Sequence, residues 1–399
     1  MRRGFALLLL TLAGGIARAD EPPKPPGPPA RPAAASVPVA KPAAPPTPEQ
    51  AADAVLAAAK AKDDAALKVL AAKDAPDAWL VADELIRRGE FDAADTFAKA
   101  APRADVETLP AYVASRRGKP DDAARRARLA AANVALSAVK PDEALTALGA
   151  PEAGPIDDVV GVRLAMGRGI SLGALGKFDA AEAVFVTAGD AAERLGWLAR
   201  SDRALGEAGL SAFRRSAVAV ARDLCRRRLA LAERRGDAKG RAVLLGFIGN
   251  FEYQFGDYAA ALEAFERGLK IEEDLGDKVG AALTRGNIAS VYDVLGQYER
   301  ALATQAGVLS ALEALGDRAG VAHALGNIGN VYESIGDYKR ALATQEHVLA
   351  LLEAIGDRAG AANTLSNLGN VHFRLGEGVP SLVSGRDTDR RHSGPPRRG

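Results

Sequence analysis

Apolar side chains recur at intervals of three and four residues from Thr47 onward, and strict alternation of apolar and polar residues is almost absent. This spacing predicts amphipathic helices and no β-sheet. The first helix is predicted to begin at Thr47-Pro48-Glu49-Gln50. There threonine is the N-cap, proline takes the first helical position and glutamine closes a capping box. The fold class is therefore predicted to be all-α.

Glycines divide the helical region with a period of 40 residues, on two lattices that are offset by 20 residues. Because glycine after a helix adopts left-handed geometry at low cost, the lattices predict two helices per unit, each ended by a glycine. Aspartates that follow several of these glycines are expected to cap the next helix. The first lattice holds Gly176, Ser216, Gly256, Gly296, Gly336 and Gly376, and the second holds Gly196, Gly236, Gly276, Gly316 and Gly356.

Four further positions of the same period lie in the middle of predicted helices: Gly249, Ala289, Gly329 and Gly369. A glycine inside a helix costs about 1 kcal/mol relative to alanine. We therefore expect the partner helix of each pair to approach closely at these positions. The neighbouring isoleucines and tyrosines, spaced by four residues, are expected to form the buried stripe of the first helix.

The repeated unit carries a recognisable motif. Around the lattice position Gly336 it reads Asn327-Ile328-Gly329-Asn330-Val331-Tyr332, then Gly336-Asp337-Tyr338 and Ala341. This motif resembles the tetratricopeptide repeat family in its 40-residue variety, as found in kinesin light chains, Pins-type adaptors and bacterial arrays. The match is closest over residues 241–376, looser over 161–240 and weak before them. The resemblance implies a right-handed superhelical solenoid of antiparallel helix pairs.

The predicted organisation has five segments: a signal peptide at 1–19, a Pro/Ala-rich disordered linker at 20–48, irregular helical repeats resembling the same family at 49–160, the 40-residue array at 161–376 and a disordered tail at 377–399. The signal peptide combines Arg2 and Arg3, a short apolar run and a small-x-small cleavage site that ends at Ala19. We therefore expect export to the periplasm or the exterior after cleavage near Ala19. The apolar run is too short for a stable membrane span.

The array departs from its own pattern near residue 377. The lattice predicts an aromatic residue at 378 and an alanine at 381, but the chain has Gly378 and Ser381. Two hypotheses remain open: a reading frame interrupted near residue 377, and a natural disordered tail. Without a following helix, Leu368 and Val371 are expected to be exposed, and oligomerisation through this uncapped repeat is a further expectation.

Composition and charge narrow the function classes. The 52 basic and 51 acidic residues nearly cancel, so no net positive field attracts nucleic acid. The single cysteine, Cys225, excludes an internal disulfide and is expected to be a buried thiol. The four histidines form no metal or catalytic motif, and no phosphate loop or nucleophile elbow occurs. The chain is therefore predicted to be non-enzymatic, with no metal and no cofactor.

The resemblance implies that the first helices of the pairs line the concave face of the solenoid. The predicted partner-binding residues on that face are Asn250, Tyr253, Gln254, Ser290, Asp293, Asn330, Glu333, Ser334, Asn370 and Phe373. Asparagine both donates and accepts hydrogen bonds, so such a column can pair with the backbone of a peptide. In the alternative interpretation, asparagines only tie neighbouring helices together, which suits Asn287, Asn327 and Asn367 better.

The predicted function is a scaffold that binds a protein partner, through a peptide or a helix, in this groove. Relatives that clamp a C-terminal carboxylate carry basic residues at two positions of the first helix. One of these positions holds Val243, Leu283, His323 and Asn363, and the other holds Gly246, Gly286, Gly326 and Ser366. Recognition of a carboxylate terminus is therefore not expected. The alternative function is the recognition module of a larger bacterial protein whose effector domain, such as a caspase-like peptidase, is missing.

Overall fold

A computed structural model describes residues 46–70, 77–100, 108–117, 123–151 and 154–376, in which all regular secondary structure is α-helical. The predicted signal peptide, nearly all of the predicted linker and the predicted tail lie outside the described residues. In the described ranges, no helix combines the length and the apolar character needed to cross a membrane.

The chain forms two compact units, and the division between them falls between Ala238 and Lys239. The first unit contains α1 (Pro48–Ala61), α2 (Asp64–Leu70), α3 (Ala78–Arg87), α4 (Phe91–Ala100), α5 (Leu109–Arg116), α6 (Ala123–Ser137), α7 (Pro141–Leu148), α8 (Val159–Ala174), α9 (Phe178–Leu195), α10 (Leu198–Arg214) and α11 (Val218–Arg234). The second unit contains α12 (Ala238–Phe255), which begins at the division, and then α13 (Tyr258–Asp274), α14 (Lys278–Val294), α15 (Tyr298–Leu315), α16 (Arg318–Ile335), α17 (Tyr338–Ile355) and α18 (Arg358–Leu375). The predicted domain boundary at 160/161 lies inside the first unit.

The local signals for helix ends have the predicted geometry. The Gln50 backbone N–H donates to Thr47 Oγ1 at 3.3 Å, and the Thr47 N–H donates to Gln50 Oε1 at 2.9 Å, which completes the capping box of α1. Every lattice glycine has a positive φ, and Ser216 adopts the same left-handed conformation at 65°. The aspartates cap as predicted; for example, Asp277 Oδ1 accepts from the Gly280 N–H at 2.9 Å. The result is an all-α helical repeat solenoid.

The core of the first unit joins residues that are far apart in sequence. Trp79 on α3 and Trp197, just before α10, stack with ring centroids 5.9 Å apart. Trp197 Nε1 donates to Asp77 Oδ1 at 3.1 Å. The Arg200 guanidinium lies over the Trp197 ring, 4.7 Å from its centroid. Helix α3 is thereby anchored to α10 across 120 positions of sequence.

The mid-helix glycines of the second unit meet the second helix of the pair, as predicted, at two positions. A Cβ on Gly249 would lie 2.6 Å from the ring of Phe265, and one on Gly329 would lie 2.8 Å from Gln345 Nε2. Among the described residues nothing lies within 4 Å of a Cβ on Gly369, and the position that would face it, residue 385, is outside the described residues. The close approach is therefore found in the α12–α13 and α16–α17 pairs.

Gly249→Ala is expected to destabilise the second unit by about 1–2 kcal/mol, because overpacking against Phe265 outweighs the gain in helix propensity. Gly246→Ala is the matched control on the same helix, since a Cβ there has nothing within 4 Å. It should stabilise by up to about 1 kcal/mol. Urea unfolding followed by circular dichroism measures both changes. Shifts of the same sign in the two variants would contradict the close packing of Gly249 on Phe265.

The expectation that Leu368 and Val371 are exposed is wrong. Leu368 is 2% exposed and Val371 is 1% exposed. Two repeats earlier, at the same lattice positions, Ile288 and Val291 of α14 share a core with side chains of the preceding helix, α13. In α14 these positions thus face the preceding helix. The argument for oligomerisation through exposure of these two residues is therefore lost.

Candidate partner-binding site

The predicted site lies on the first helices of the pairs in the second unit. We call the inner face the surface formed by Val243, Asn250, Tyr253 and Gln254 of α12 and by the residues 40, 80 and 120 positions later on α14, α16 and α18. Helices α14 and α16 are neighbours there, because the Ser334 hydroxyl donates to Asp293 Oδ2 at 3.3 Å. This bond brings two of the predicted site residues together from successive repeats.

The part of the inner face on α12 and α14 is apolar and open to solvent. Val243 is 49% exposed, and Leu283, at the same position of the next repeat, is 53% exposed. Val294 at the end of α14 is also exposed. On α16 and α18 the first of these positions changes to the polar residues His323 and Asn363. At this one position the inner face therefore changes from apolar on α12 and α14 to polar on α16 and α18, while Phe373 adds an exposed apolar ring on α18.

Two predicted site residues hold buried polar atoms that have no hydrogen-bond partner among the described residues: Asn250 Nδ2, a donor, and Asp293 Oδ1, an acceptor. Burial raises the pKa of Asp293, and the hydrogen bond from Ser334 only partly opposes this. Buried polar atoms are nearly always paired in folded proteins. An unpaired donor and an unpaired acceptor thus mark this part of the inner face.

Three other predicted residues are engaged within the unit itself. Asn330 Oδ1 accepts from Gln345 Nε2 at 3.1 Å, and the Ser290 hydroxyl donates to the carbonyl of Gly286 at 3.1 Å. The Tyr253 ring packs edge-on against Tyr258, with centroids 5.6 Å apart. Asn330 therefore ties α16 to α17, as the alternative interpretation of the asparagines expects.

The remaining predicted residues point to solvent or make no side-chain hydrogen bond within the described part of the chain. They are Gln254, Glu333, Asn370 and Phe373, and the Phe373 ring is 76% exposed. The three asparagines that suited the role of helix ties, Asn287, Asn327 and Asn367, are half-buried. The hydrogen bond between helices involves Asn330 instead.

Sequence reasoning missed a pair of buried glutamines behind the inner face. Gln305 Nε2 and Gln345 Nε2 each donate at 3.3 Å to a first-helix carbonyl, that of Gly286 and that of Gly326 respectively. Both side chains are buried, and the Oε1 atom of each has no hydrogen-bond partner in the part of the chain that the structure describes. The signal was available, since these glutamines occupy the lattice position that holds Phe265 one repeat before Gln305.

Sequence reasoning also missed two arginines of the first unit. Arg163 on α8 and Arg203 on α10 stand 80 and 40 residues before Val243, at the same lattice position. Burial lowers the pKa of Arg163. The absence of basic residues at this position therefore holds for the last four repeats, apart from His323, and does not extend to the first unit.

The single thiol lies in the interior. Cys225 is buried, as predicted, and burial raises the pKa of its thiol to about 11. Within the described ranges no group of three or more His, Cys, Asp or Glu side chains is arranged to hold a metal ion.

A sequence profile of the tetratricopeptide repeat family matches residues 279–354, which span α14 to α17 almost completely. Within these residues the chain carries tetratricopeptide repeats. Tetratricopeptide repeats indicate a scaffold for protein–protein interactions and are typically non-catalytic modules. No curated protein sequence matches the chain.

Solved structures with similar helical arrangements are distant in sequence. BtubC from P. vanneervenii is 22% identical, with 50% of this chain and 85% of that chain covered and a TM-score of 0.43. A STAND signal-transduction ATPase with a tetratricopeptide repeat sensor, from Pyrococcus horikoshii, is 13% identical over 75% of this chain and 50% of that chain, with a TM-score of 0.49. The apo form of RapI is 14% identical over 54% and 80%, with a TM-score of 0.47. At these values the likenesses say nothing about partners or activity.

Proposed function

We propose that the inner face of the second unit binds a peptide or a helix of a protein partner. The observation that carries this proposal is the solvent exposure of Val243 and Leu283, which occupy the same lattice position of successive first helices. Exposed apolar side chains that are grouped with polar groups are typical of protein interaction sites.

The chemistry of the inner face defines the partner segment. Val243 and Leu283 would receive apolar side chains, and burying each such side chain contributes about 1.5–3 kcal/mol. The exposed side-chain amides of Gln254 and Asn370 on the same face would exchange hydrogen bonds with polar groups of the segment. A peptide or helix with one apolar side satisfies both requirements.

The test compares two apolar residues of similar exposure. A displayed peptide library selected on the full chain supplies the binding probe. Leu283→Ser, on the inner face, should weaken the binding of the selected peptides on the order of tenfold or more, since each 1.4 kcal/mol of binding free energy is a factor of about ten in affinity. Leu275→Ser is the matched control: Leu275 is 51% exposed but lies in the turn after α13.

Fluorescence anisotropy with the labelled peptide measures both affinities, and circular dichroism verifies that both variants are folded. Equal affinity of Leu283→Ser and the wild type would overturn the assignment of the inner face. A loss of the same size in Leu275→Ser would do so as well, since the effect would then not be specific to that surface.

We also propose that the protein works outside the cytoplasm, after cleavage near Ala19. The support is the basic start, the apolar run and the small residues before Asp20. N-terminal sequencing of the protein purified from its source measures this directly, and a mature chain that still begins with Met1 would contradict it. Membership in a larger protein with an effector domain remains the alternative.

A further inference from the structure

The first unit contains a partly open cavity of about 270 Å³. It lies among α6, α7, α8 and α9, and Ala150, Pro151 and Gly154 to Ile156 also line it. Four apolar side chains form much of its wall: Leu148, Ile156, Leu164 and Val184. An apolar cavity of about 150 Å³ is large enough for benzene. This cavity therefore has room for a small apolar group together with a polar head.

Three arginines also line the cavity: Arg128 from α6, Arg168 from α8 and Arg194 from α9. No aspartate, glutamate or lysine is among the described residues that line it. An arginine presents five N–H donors and stays charged. The polar part of the lining is thus predominantly cationic.

The charge of Arg168 and Arg194 is not balanced by a carboxylate within the described part of the chain. Burial lowers the pKa of Arg168, and the positive charge of Arg128 lowers it further. The one hydrogen bond of the Arg168 side chain goes to the carbonyl of Gly149. Arg194 is exposed. The like charges of Arg168 and Arg194 in one cavity favour an anionic ligand.

A purely structural role explains only part of this arrangement. Arg128 Nη1 donates to the carbonyl of Leu148 at 3.3 Å, and Arg168 donates to that of Gly149. Both bonds satisfy carbonyls at the end of α7, where the helix dipole is negative. Neither bond involves Arg194, and neither fills the apolar cavity. Helix capping therefore leaves the cavity and the third cation unexplained.

We propose that this cavity binds a small carboxylate with an apolar body, such as a short-chain acyl or aromatic acid. The carboxylate lies against Arg168 and Arg194, which can each offer paired N–H donors, and the apolar body lies against Leu148, Leu164 and Val184. The site is independent of the proposed partner-binding face, so either proposal can fail without the other.

Isothermal titration calorimetry on the full chain tests the proposal with three probes. Hexanoate carries both the charge and the apolar body, hexanol has the apolar body alone, and inorganic phosphate has the charge alone. Hexanoate should bind on the order of tenfold more tightly than either of the others, since its charged hydrogen bonds and its apolar burial both contribute. Equal binding of hexanol, or of phosphate, would overturn the proposal.

Arg194→Gln is the first variant, because Arg194 is exposed and its removal should not disturb folding. This substitution should weaken the binding of hexanoate on the order of tenfold. Arg203→Gln is the matched control, an exposed arginine of α10 that does not line the cavity. Unchanged affinity in Arg194→Gln, or an equal loss in Arg203→Gln, would refute the site.

Glu152 is near the cavity in sequence but lies outside the described residues. Glu152→Gln tests whether the chain supplies its own counter-ion. Under our proposal hexanoate binds the wild type, and removing this charge changes the affinity only modestly. If hexanoate binds Glu152→Gln and does not bind the wild type, the arginines serve the chain's own carboxylate and the proposal is wrong.

Discussion

Trp197→Ala is expected to destabilise the first unit by about 3–5 kcal/mol, the usual cost of removing a buried tryptophan. Trp197 is fully buried and stacks on Trp79, and its Nε1 donates to Asp77. The loss is a large part of the roughly 5–15 kcal/mol by which domains are stable. Arg200 would also lose the ring over which its guanidinium lies.

Urea unfolding followed by tryptophan fluorescence measures this effect, because the chain has two tryptophans and both are in this cluster. In the variant, Trp79 remains as the reporter. Trp197→Phe is the control: it keeps a ring against Trp79 and loses the hydrogen bond to Asp77, so its loss should be smaller. An unfolding midpoint of Trp197→Ala equal to that of the wild type would contradict the anchoring of α3 to α10.

Asp158→Asn is expected to have the second large effect, about 3–5 kcal/mol, because it breaks a buried ion pair from one side. Asp158 is 3% exposed, and its Oδ1 accepts from the Gly161 N–H at 2.8 Å as the N-cap of α8. Arg125 Nη1 donates to its Oδ2 at 2.7 Å. Removing the carboxylate leaves Arg125 half-buried and deprived of this partner.

Asp157→Asn is the matched control, since Asp157 is the adjacent carboxylate and is exposed. Its effect should stay within about 0.5 kcal/mol. Thermal unfolding of the two variants beside the wild type provides the comparison. If the two substitutions cost the same, the buried pair does not stabilise the first unit.

The same carboxylate predicts a dependence of stability on pH. Burial raises the pKa of Asp158, but the hydrogen bonds from Arg125 and Gly161 outweigh it, and the pKa is lowered from 3.8. A group with a lowered folded-state pKa stabilises fully above its unfolded-state pKa, and this stabilisation is lost as the pH falls through the folded-state pKa. The difference in stability between wild type and Asp158→Asn should therefore shrink below about pH 4. A difference that stays constant down to about pH 3 would contradict this.

The candidate site was only partly predictable from the sequence. The 40-residue period placed Asn250, Asp293 and Asn330 on corresponding faces of their helices, because positions in a repeated helix pair are set by spacing. The period did not say which of them is already engaged. Asn330 is taken by Gln345, 15 residues later, whereas Asn250 Nδ2 has no partner. That difference depends on whether the second helix carries phenylalanine or glutamine at the facing position.

The burial of Leu368 and Val371 shows the same limit. The sequence pattern marks both as core positions but does not say which helix covers them. Packing against the preceding helix and packing against the following helix leave the same period in the sequence. The distinction requires the arrangement of the pairs in space, and there both residues are buried.

By itself, the sequence determined the helices, their ends and the period of the solenoid. These features depend on contacts within a few residues: Thr47 with Gln50, Asp277 with Gly280, and the left-handed conformation at each lattice position, Ser216 included. The tertiary structure alone decided the stacking of Trp197 on Trp79, the unpaired polar atoms of the inner face and the arginine-lined cavity. These arise where side chains from distant segments converge, and which atoms they satisfy or leave unpaired depends on packing that no local spacing encodes.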